Sequence, residues 1–302
     1  MTAQRLPTDP TRAERCEGFL VGAVLGAALA ASTADLTDPQ AIRERLGAAG
    51  VPQALPAPHG HRRAATALAD ALLEQLVAGG VDLRRLAGRW VEWRSADGTD
   101  VDPLLALALD HLRDFDAPIA DLPAPGIAPL AAALPAALAS ASPQAMIAGA
   151  FHVARLIDPS ETTALATVAV VVAASRFLEG SRDFIPDVIA VLRANDAPAT
   201  LLDAIRLIPR DPGTPPPVPL GAAPSPEVAI AWLLWTAHHR PRPLDTLAAM
   251  ALQGGISPTV GAVLGALLGA RDGVTVWPAP WLEAGAEEAT LRAALARRLA
   301  PT

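Results

Sequence analysis

At 302 residues the chain is long enough for one large domain or two ordinary ones. Its 51% apolar residues assure a sizeable core, while 18% charged residues fall below the roughly 25% of an average domain. A net charge of −7 with dispersed arginines argues against nucleic acid as a partner, and the absence of lysine and tyrosine excludes Schiff-base chemistry on a lysine and any tyrosine acid. The single cysteine, Cys16, cannot close an intramolecular disulfide or build a cysteine zinc site, so a reducing cytoplasm is the expected location.

Residues 1–11 read as a loose tail ahead of one domain over 12–302. Helical periodicity then runs through nearly every segment: 12–32, 62–80, 102–115, 128–140, 142–157, 160–180, 186–194, 198–208, 225–239, 243–253, 257–273 and 287–300. Alanine and leucine favour helix, and many of these runs open on Ser, Asp or a proline just inside the first turn. No alternating β-branched strand competes; "VAVVVAA" is the only rival and has helical flanks. The expected class is therefore all-α, a single multi-helix domain of about a dozen helices. "PRDPGTPPPVPLGAAPSP" (209–226) reads as a polyproline-like loop.

"FLVGAVLGAALAAS" (19–32) has the outline of a secretory signal, but Glu14 and Glu17 sit directly before the apolar run. It is also shorter than the roughly 20 residues a membrane span needs, as is "ALATVAVVVAAS" (164–175), so no membrane partner is expected. Low surface charge does suit an apolar face against a second copy, so a homo-oligomer is among the expected assemblies.

Two glycine stripes have matched spacing: Gly18, Gly22 and Gly26 near the start, Gly261, Gly265 and Gly269 near the end. Glycine inside a helix costs about 1 kcal/mol relative to alanine. Three on one face imply a neighbouring backbone in close approach. The two helices are expected to pack on each other, which would bring the turn "GGISPT" (254–259) beside the N-terminal helix.

These residues carry a resemblance. "RCEGFLVGAVLGAALA" is similar to the opening helix of the ADP-ribosylglycohydrolase family, R-x-x-G-x-L-x-G-x-x-x-G-D-A-L-G. "HRRAATALADALL" (61–73) resembles its T-D-D-T helix, "GIAPLAAAL" (126–134) its M-R-I-A-P-L-G-L segment, and "IDPSETTALATVAVVVAASRFLEG" (157–180) the stretch opening on T-H-x-D-P. "AMALQGGISPTVGAVLGALLGARDG" resembles the G-G-D-T-D-T helix, and "WLEAGAEEATLRAALARRLA" the closing helix. The order is collinear over nearly the whole chain and implies one compact all-helical domain.

The resemblance also implies where chemistry would sit, because the family holds paired magnesium ions between the T-D-D-T and G-G-D-T-D-T segments. Such ions need several anionic oxygens. Here the T-D-D-T positions are His61, Arg62, Arg63 and Ala64, the D-T-D-T positions are Ile256, Ser257, Pro258 and Thr259, and the aspartate of G-D-A-L-G is Ala27. Every matching carboxylate is replaced, so no metal and no cofactor is expected, and di-magnesium hydrolysis is not expected either.

Arg62 and Arg63 fall in a helix's first turn, where cations are disfavoured by about 0.3–1 kcal/mol each. Solvent, an internal carboxylate or a bound anion would each compensate. For the last, His61, Arg62, Arg63, the Gly254 and Gly255 amides, Ser257 and Thr259 form the candidate ligand-binding set. "HGH" (59–61) has strand metal-ligand spacing but no third ligand. "SADGTDVD" (95–102) resembles the family's D-x-G-x-T-T segment. Asp97, Asp100 and Asp102 are candidate acid–base groups there, with turn and N-cap roles as the alternative. The tryptophan pairs Trp90/Trp93, Trp232/Trp235 and Trp277/Trp281 read as core or helix packing first and as sugar- or base-stacking platforms second, and His238–His239 as cationic partners of a helix C-terminus.

Three readings stay open. One is a pseudoenzyme that binds a small anionic or nucleotide-like ligand or a protein. The second is a metal-independent enzyme in the same cleft, and the third is a structural subunit whose cleft Ile256 and Pro258 close.

Overall fold

The computed structural model describes residues 9–47, 64–96, 98, 101–138 and 142–284. Fourteen α-helices lie among them: α1 Arg12–Ser32, α2 Pro39–Leu46, α3 Ala64–Val77, α4 Leu83–Ala96, α5 Pro103–Phe115, α6 Ala128–Ala132 and α7 Pro143–Arg155. They continue as α8 Glu161–Leu178, α9 Ile185–Ala194, α10 Ala199–Arg206, α11 Pro226–His239, α12 Pro243–Ala251, α13 Pro258–Asp272 and α14 Ala279–Ala284. The described residues contain no strand, only isolated bridges joining Leu220 and Gly221 to Ile256. The all-α, single-domain expectation holds. The run expected over 287–300 lies outside the described residues.

Local chemistry explains the boundaries. Thr11 caps α1 in a reciprocal capping box with Glu14, and Arg15 Nε donates to the Pro10 carbonyl at 3.1 Å, so Pro10 and Thr11 are tied to the helix they precede. Ser142, Ser160, Ser225 and Ser257 cap α7, α8, α11 and α13. The run 128–140 is not one helix. Pro135 has no N–H for a continuing ladder, and the chain passes from α6 into a 3₁₀ turn over Leu134–Leu138.

The centre of the fold is the antiparallel pair α1 and α13. Gly18 lies against Gly269, Gly22 against Gly265 and Gly26 against Gly261. A Cβ added to Gly22 would stand 2.8 Å from the Gly265 carbonyl carbon, and one added to Gly261 would stand 2.9 Å from that of Gly26. The backbones touch, as the two stripes require. Helix α13 is buried all round, which fits its continuous apolar sequence. Helices α1 and α8 are long and apolar enough to cross a membrane, yet 72% and 78% of their apolar windows are buried inside the protein. They are its core. The tryptophans behave likewise: Trp90 and Trp281 are fully buried, and Trp277 donates its indole N–H to the Gly18 carbonyl at 3.4 Å.

Two buried arginines lock the helix ends. Arg15 Nη1 donates to the Arg271 carbonyl at 2.6 Å and the Phe177 carbonyl at 3.5 Å, the C-terminal ends of α13 and α8. Arg271 reaches the Ala237 and Arg240 carbonyls, at 2.5 and 2.7 Å, at the end of α11. Cations there satisfy orphan carbonyls and complement the helix dipole. The sequence reading assigned that role at α11 to His238 and His239, but burial pushes the His238 pKa down and its ring packs edge-on against Phe184. His239 pairs instead with the Ile208 carbonyl at 2.5 Å.

Candidate functional site

Pairing α1 with α13 sets the "GGISPT" turn beside the C-terminal end of α1. Gly254 and Gly255 both adopt left-handed backbone, with φ of +65° and +60°. The Gly255 N–H donates to the Thr33 carbonyl at 3.0 Å, and its own carbonyl accepts from the Gly221 N–H at 2.6 Å. The turn is thus held on one side by α1 and on the other by the tail of the proline-rich loop. Ile256 is buried at 1% exposure, and Ser257 caps α13 by accepting from the Thr259 N–H at 3.3 Å.

A pocket of about 310 Å³ opens in front of this turn, lined by residues from five separate segments. Ser257, Pro258 and Thr259 begin α13, Asp102 and Pro103 begin α5, and Ala64 and Ala65 begin α3 as described. Ala31 and Ala34 come from the end of α1, and Gly221 and Ala222 from the loop. The starts of α5 and α13 and the first described residues of α3 therefore converge, and the first two bring the positive ends of their helix dipoles to the pocket.

The side chains at the pocket are sparse. Asp102 Oδ1 accepts from the Leu104 and Leu105 N–H groups, both at 3.0 Å, so it is the N-cap of α5 as well as the one carboxylate among the described lining residues. Burial raises its pKa above the ordinary carboxylate value, against the opposing pull of those two N–H donors. Thr259 is 9% exposed, lines the pocket, and its hydroxyl has no hydrogen-bond partner among the described residues. Ala27, at the position where the resemblance expects an aspartate, is buried in α1.

The described lining residues supply few of the oxygens that a pair of divalent cations takes. Magnesium takes a near-octahedral shell of oxygens, several of them anionic. The described lining offers one carboxylate already engaged as a cap and two hydroxyls, and no three His, Cys, Asp or Glu side chains gather anywhere among the described residues.

Of the residues singled out from sequence, Gly255, Ser257, Thr259 and Asp102 meet at this pocket, with Gly254 adjoining. His61, Arg62, Arg63, Asp97 and Asp100 lie outside the described residues. Ala64, the immediate chain neighbour of Arg63, stands at the pocket. Sequence reasoning missed Gly221 and Ala222, treating their loop as a connector. The sequence shows only a glycine in a proline-rich loop; that it is a built turn, with φ of +90°, appears in the structure. A tie between two other motifs was also missed: buried Asp158 accepts from the Gly126 N–H at 2.6 Å and the Ser160 N–H at 2.8 Å, joining the segment 126–134 to the start of α8.

Comparison with known proteins agrees with this architecture. The ADP-ribosylglycohydrolase family model matches residues 8–302. A solved structure described as an ADP-ribosylglycohydrolase-related protein complex superposes with a TM-score of 0.73 at 23% identity, covering 96% of this chain and 99% of that one. At that identity the likeness speaks for the fold. No curated protein matches the chain.

Proposed function

This chain belongs to the ADP-ribosylglycohydrolase family, and from that premise we propose that it is a pseudoenzyme of the family, one that has given up paired-magnesium hydrolysis and binds a small anionic, nucleotide-like ligand in the same cleft. The observation that carries the reading is the convergence of the starts of α5 and α13 and the first described residues of α3 on a pocket whose described lining has a single, already engaged carboxylate. The positive ends of the α5 and α13 dipoles favour an anion there over a cation. The Thr259 hydroxyl adds a donor, and Arg62 and Arg63, immediately before Ala64 in the chain, would add two guanidinium forks. Small-ligand sites span about 300–1,000 Å³; at about 310 Å³ this one suits a phosphate-bearing part of a ligand rather than a protein segment. An open pocket also speaks against closure by Ile256 and Pro258.

The competing reading, metal-independent catalysis in this cleft, has one supporting observation: Asp102, with its raised pKa, is a carboxyl that holds a proton to higher pH than usual. One experiment separates the two. Calorimetric titration of the full chain with ADP-ribose, inorganic phosphate and magnesium is expected to show binding of the first two and none of the third. An assay on ADP-ribosyl-arginine is expected to show no turnover with or without chelator. Magnesium binding, or magnesium-stimulated turnover, overturns the proposal; turnover that survives chelation establishes the competing reading.

A further inference from the structure

A second pocket, of about 470 Å³, lies beside α11 and α12 under the proline-rich loop and shares no lining residue with the first. Its walls are apolar and partly aromatic: Trp232 and Trp235 from α11, Met250 from α12, and Pro215 and Val218 from the loop. Its rim carries two exposed arginines, Arg240 and Arg242.

The polar groups here divide into satisfied and unsatisfied. Trp235 donates its indole N–H to the Asp211 carbonyl at 2.9 Å, and the Thr246 hydroxyl donates to the Arg242 carbonyl at 2.6 Å. Trp232 and Thr236, only 7% and 4% exposed, also line the pocket, yet neither the Trp232 N–H nor the Thr236 hydroxyl has a partner among the described residues. Both residues line the pocket and both polar atoms keep accessible surface, so an acceptor entering the pocket has donors to meet. The charges point the same way. Arg242 has a loose pairing with Asp245 at 3.4 Å, whereas the Arg240 guanidinium lies over the Trp235 ring at 5.1 Å and has no carboxylate partner among the described residues. An indole N–H and a guanidinium are donors only. What completes this pocket must supply acceptors and negative charge at one end and a flat apolar body at the other.

We propose that this pocket is a second ligand site, for a small anion bearing a flat ring. The ring packs against Trp232 and Met250, and its carboxylate or phosphate meets Arg240 and Arg242. Guanidinium forks suit both headgroups, and tryptophan faces suit the ring.

The test uses the full chain. Calorimetry and tryptophan fluorescence are run with indole-3-acetate and benzoate as ring carboxylates and with AMP as a ring phosphate. Indole, acetate and inorganic phosphate serve as the fragments lacking one half. A Thr259→Val background weakens the first pocket, and the part of an AMP signal that survives there and is lost in Arg240→Gln/Arg242→Gln belongs to the second. Binding of at least one ring-bearing anion is expected, at least tenfold tighter than its fragments. It should weaken tenfold or more in Arg240→Gln/Arg242→Gln and severalfold in Thr236→Val. Both arginines are exposed, so the double variant is expected to fold, which its melting curve checks; Thr236→Val gives a second route to the same wall. The ranking of carboxylate against phosphate ligands identifies the headgroup. Failure of every ring-bearing anion to bind at millimolar concentration, or binding that persists undiminished in the folded double-arginine variant, overturns the proposal.

Discussion

Arg15 Nη1 donates to the backbone carbonyl of Arg271 at 2.6 Å, and Arg271 in turn donates to the last carbonyls of α11. Two buried guanidiniums in series thus join the ends of α8, α13 and α11. Neither has a role at either pocket, so their contribution is structural. Arg271→Met retains much of the apolar stem but leaves the Ala237 and Arg240 carbonyls without their donor. Each such loss costs about 1–3 kcal/mol, and a loss of about 3 kcal/mol is expected in urea unfolding. A change below about 1 kcal/mol would show that water replaces the guanidinium.

The same glycine-to-alanine change is expected to act with opposite sign at two helical positions. At Gly265 the new methyl carbon would stand 2.7 Å from the Gly22 carbonyl carbon and 3.2 Å from the Gly26 Cα, so backbone must move, with a loss of about 3 kcal/mol. Gly88, exposed in α4, has nothing within 4 Å of that position. Alanine there restricts the unfolded chain and favours helix, a gain of about 1 kcal/mol. Thermal melts of both variants check the pair.

Asp102 gives a pH signature. Burial raises its pKa in the folded protein, so the folded state holds this proton more tightly than the unfolded chain. The resulting stability is fully present below the unfolded pKa, about 3.9, and is lost as pH rises through the folded value. Asp102→Asn keeps a good N-cap and removes the titration. The stability of the wild type minus that of this variant is therefore expected to fall as pH rises from about 4 through the raised pKa. A difference that stays flat or climbs would contradict the assignment. Asp102→Ala, which removes the cap as well as the titration, should be about 1 kcal/mol less stable than Asp102→Asn at any pH.

Thr259→Val is nearly isosteric and removes a hydroxyl that supports no other described group. It is expected to leave the melting temperature within about 2 °C of wild type, because the hydroxyl has no described hydrogen bond to lose, while weakening phosphate and ADP-ribose binding several-fold. Calorimetry reads the second effect; equal affinity in the two proteins would take Thr259 out of the ligand shell.

The fold was legible where physics leaves a periodic trace. Two backbones in contact forbid side chains at every fourth residue, and Gly18, Gly22 and Gly26 facing Gly269, Gly265 and Gly261 record that directly. Helix α2 left no such trace. It is eight residues long and buries only Ile42 and Leu46, so it shows in the sequence through the Asp38 cap and Pro39 alone. Pro135 was legible as a break, but the apolar run around it dominated the reading. At the site, Ser257, Thr259 and the glycine pair were recoverable because they share one turn. Gly221 was not: it arrives through a hydrogen bond to Gly255 from a loop with no hydrophobic pattern. The meeting of the starts of α5 and α13 with α3 is likewise a property of tertiary arrangement, which no single segment encodes.

The pairing of α1 with α13 also governs how the molecule is made. Arg15 and the carbonyl it binds are 256 residues apart, and closing a loop of that size costs on the order of 5 kcal/mol of chain entropy before any contact repays it. Non-local pairings of this kind slow folding. On the ribosome, α1 emerges first with its glycine face uncovered, and it stays uncovered until almost all of the chain described here has followed. Helix α13, the last long helix among the described residues, completes the centre instead of adding to the outside.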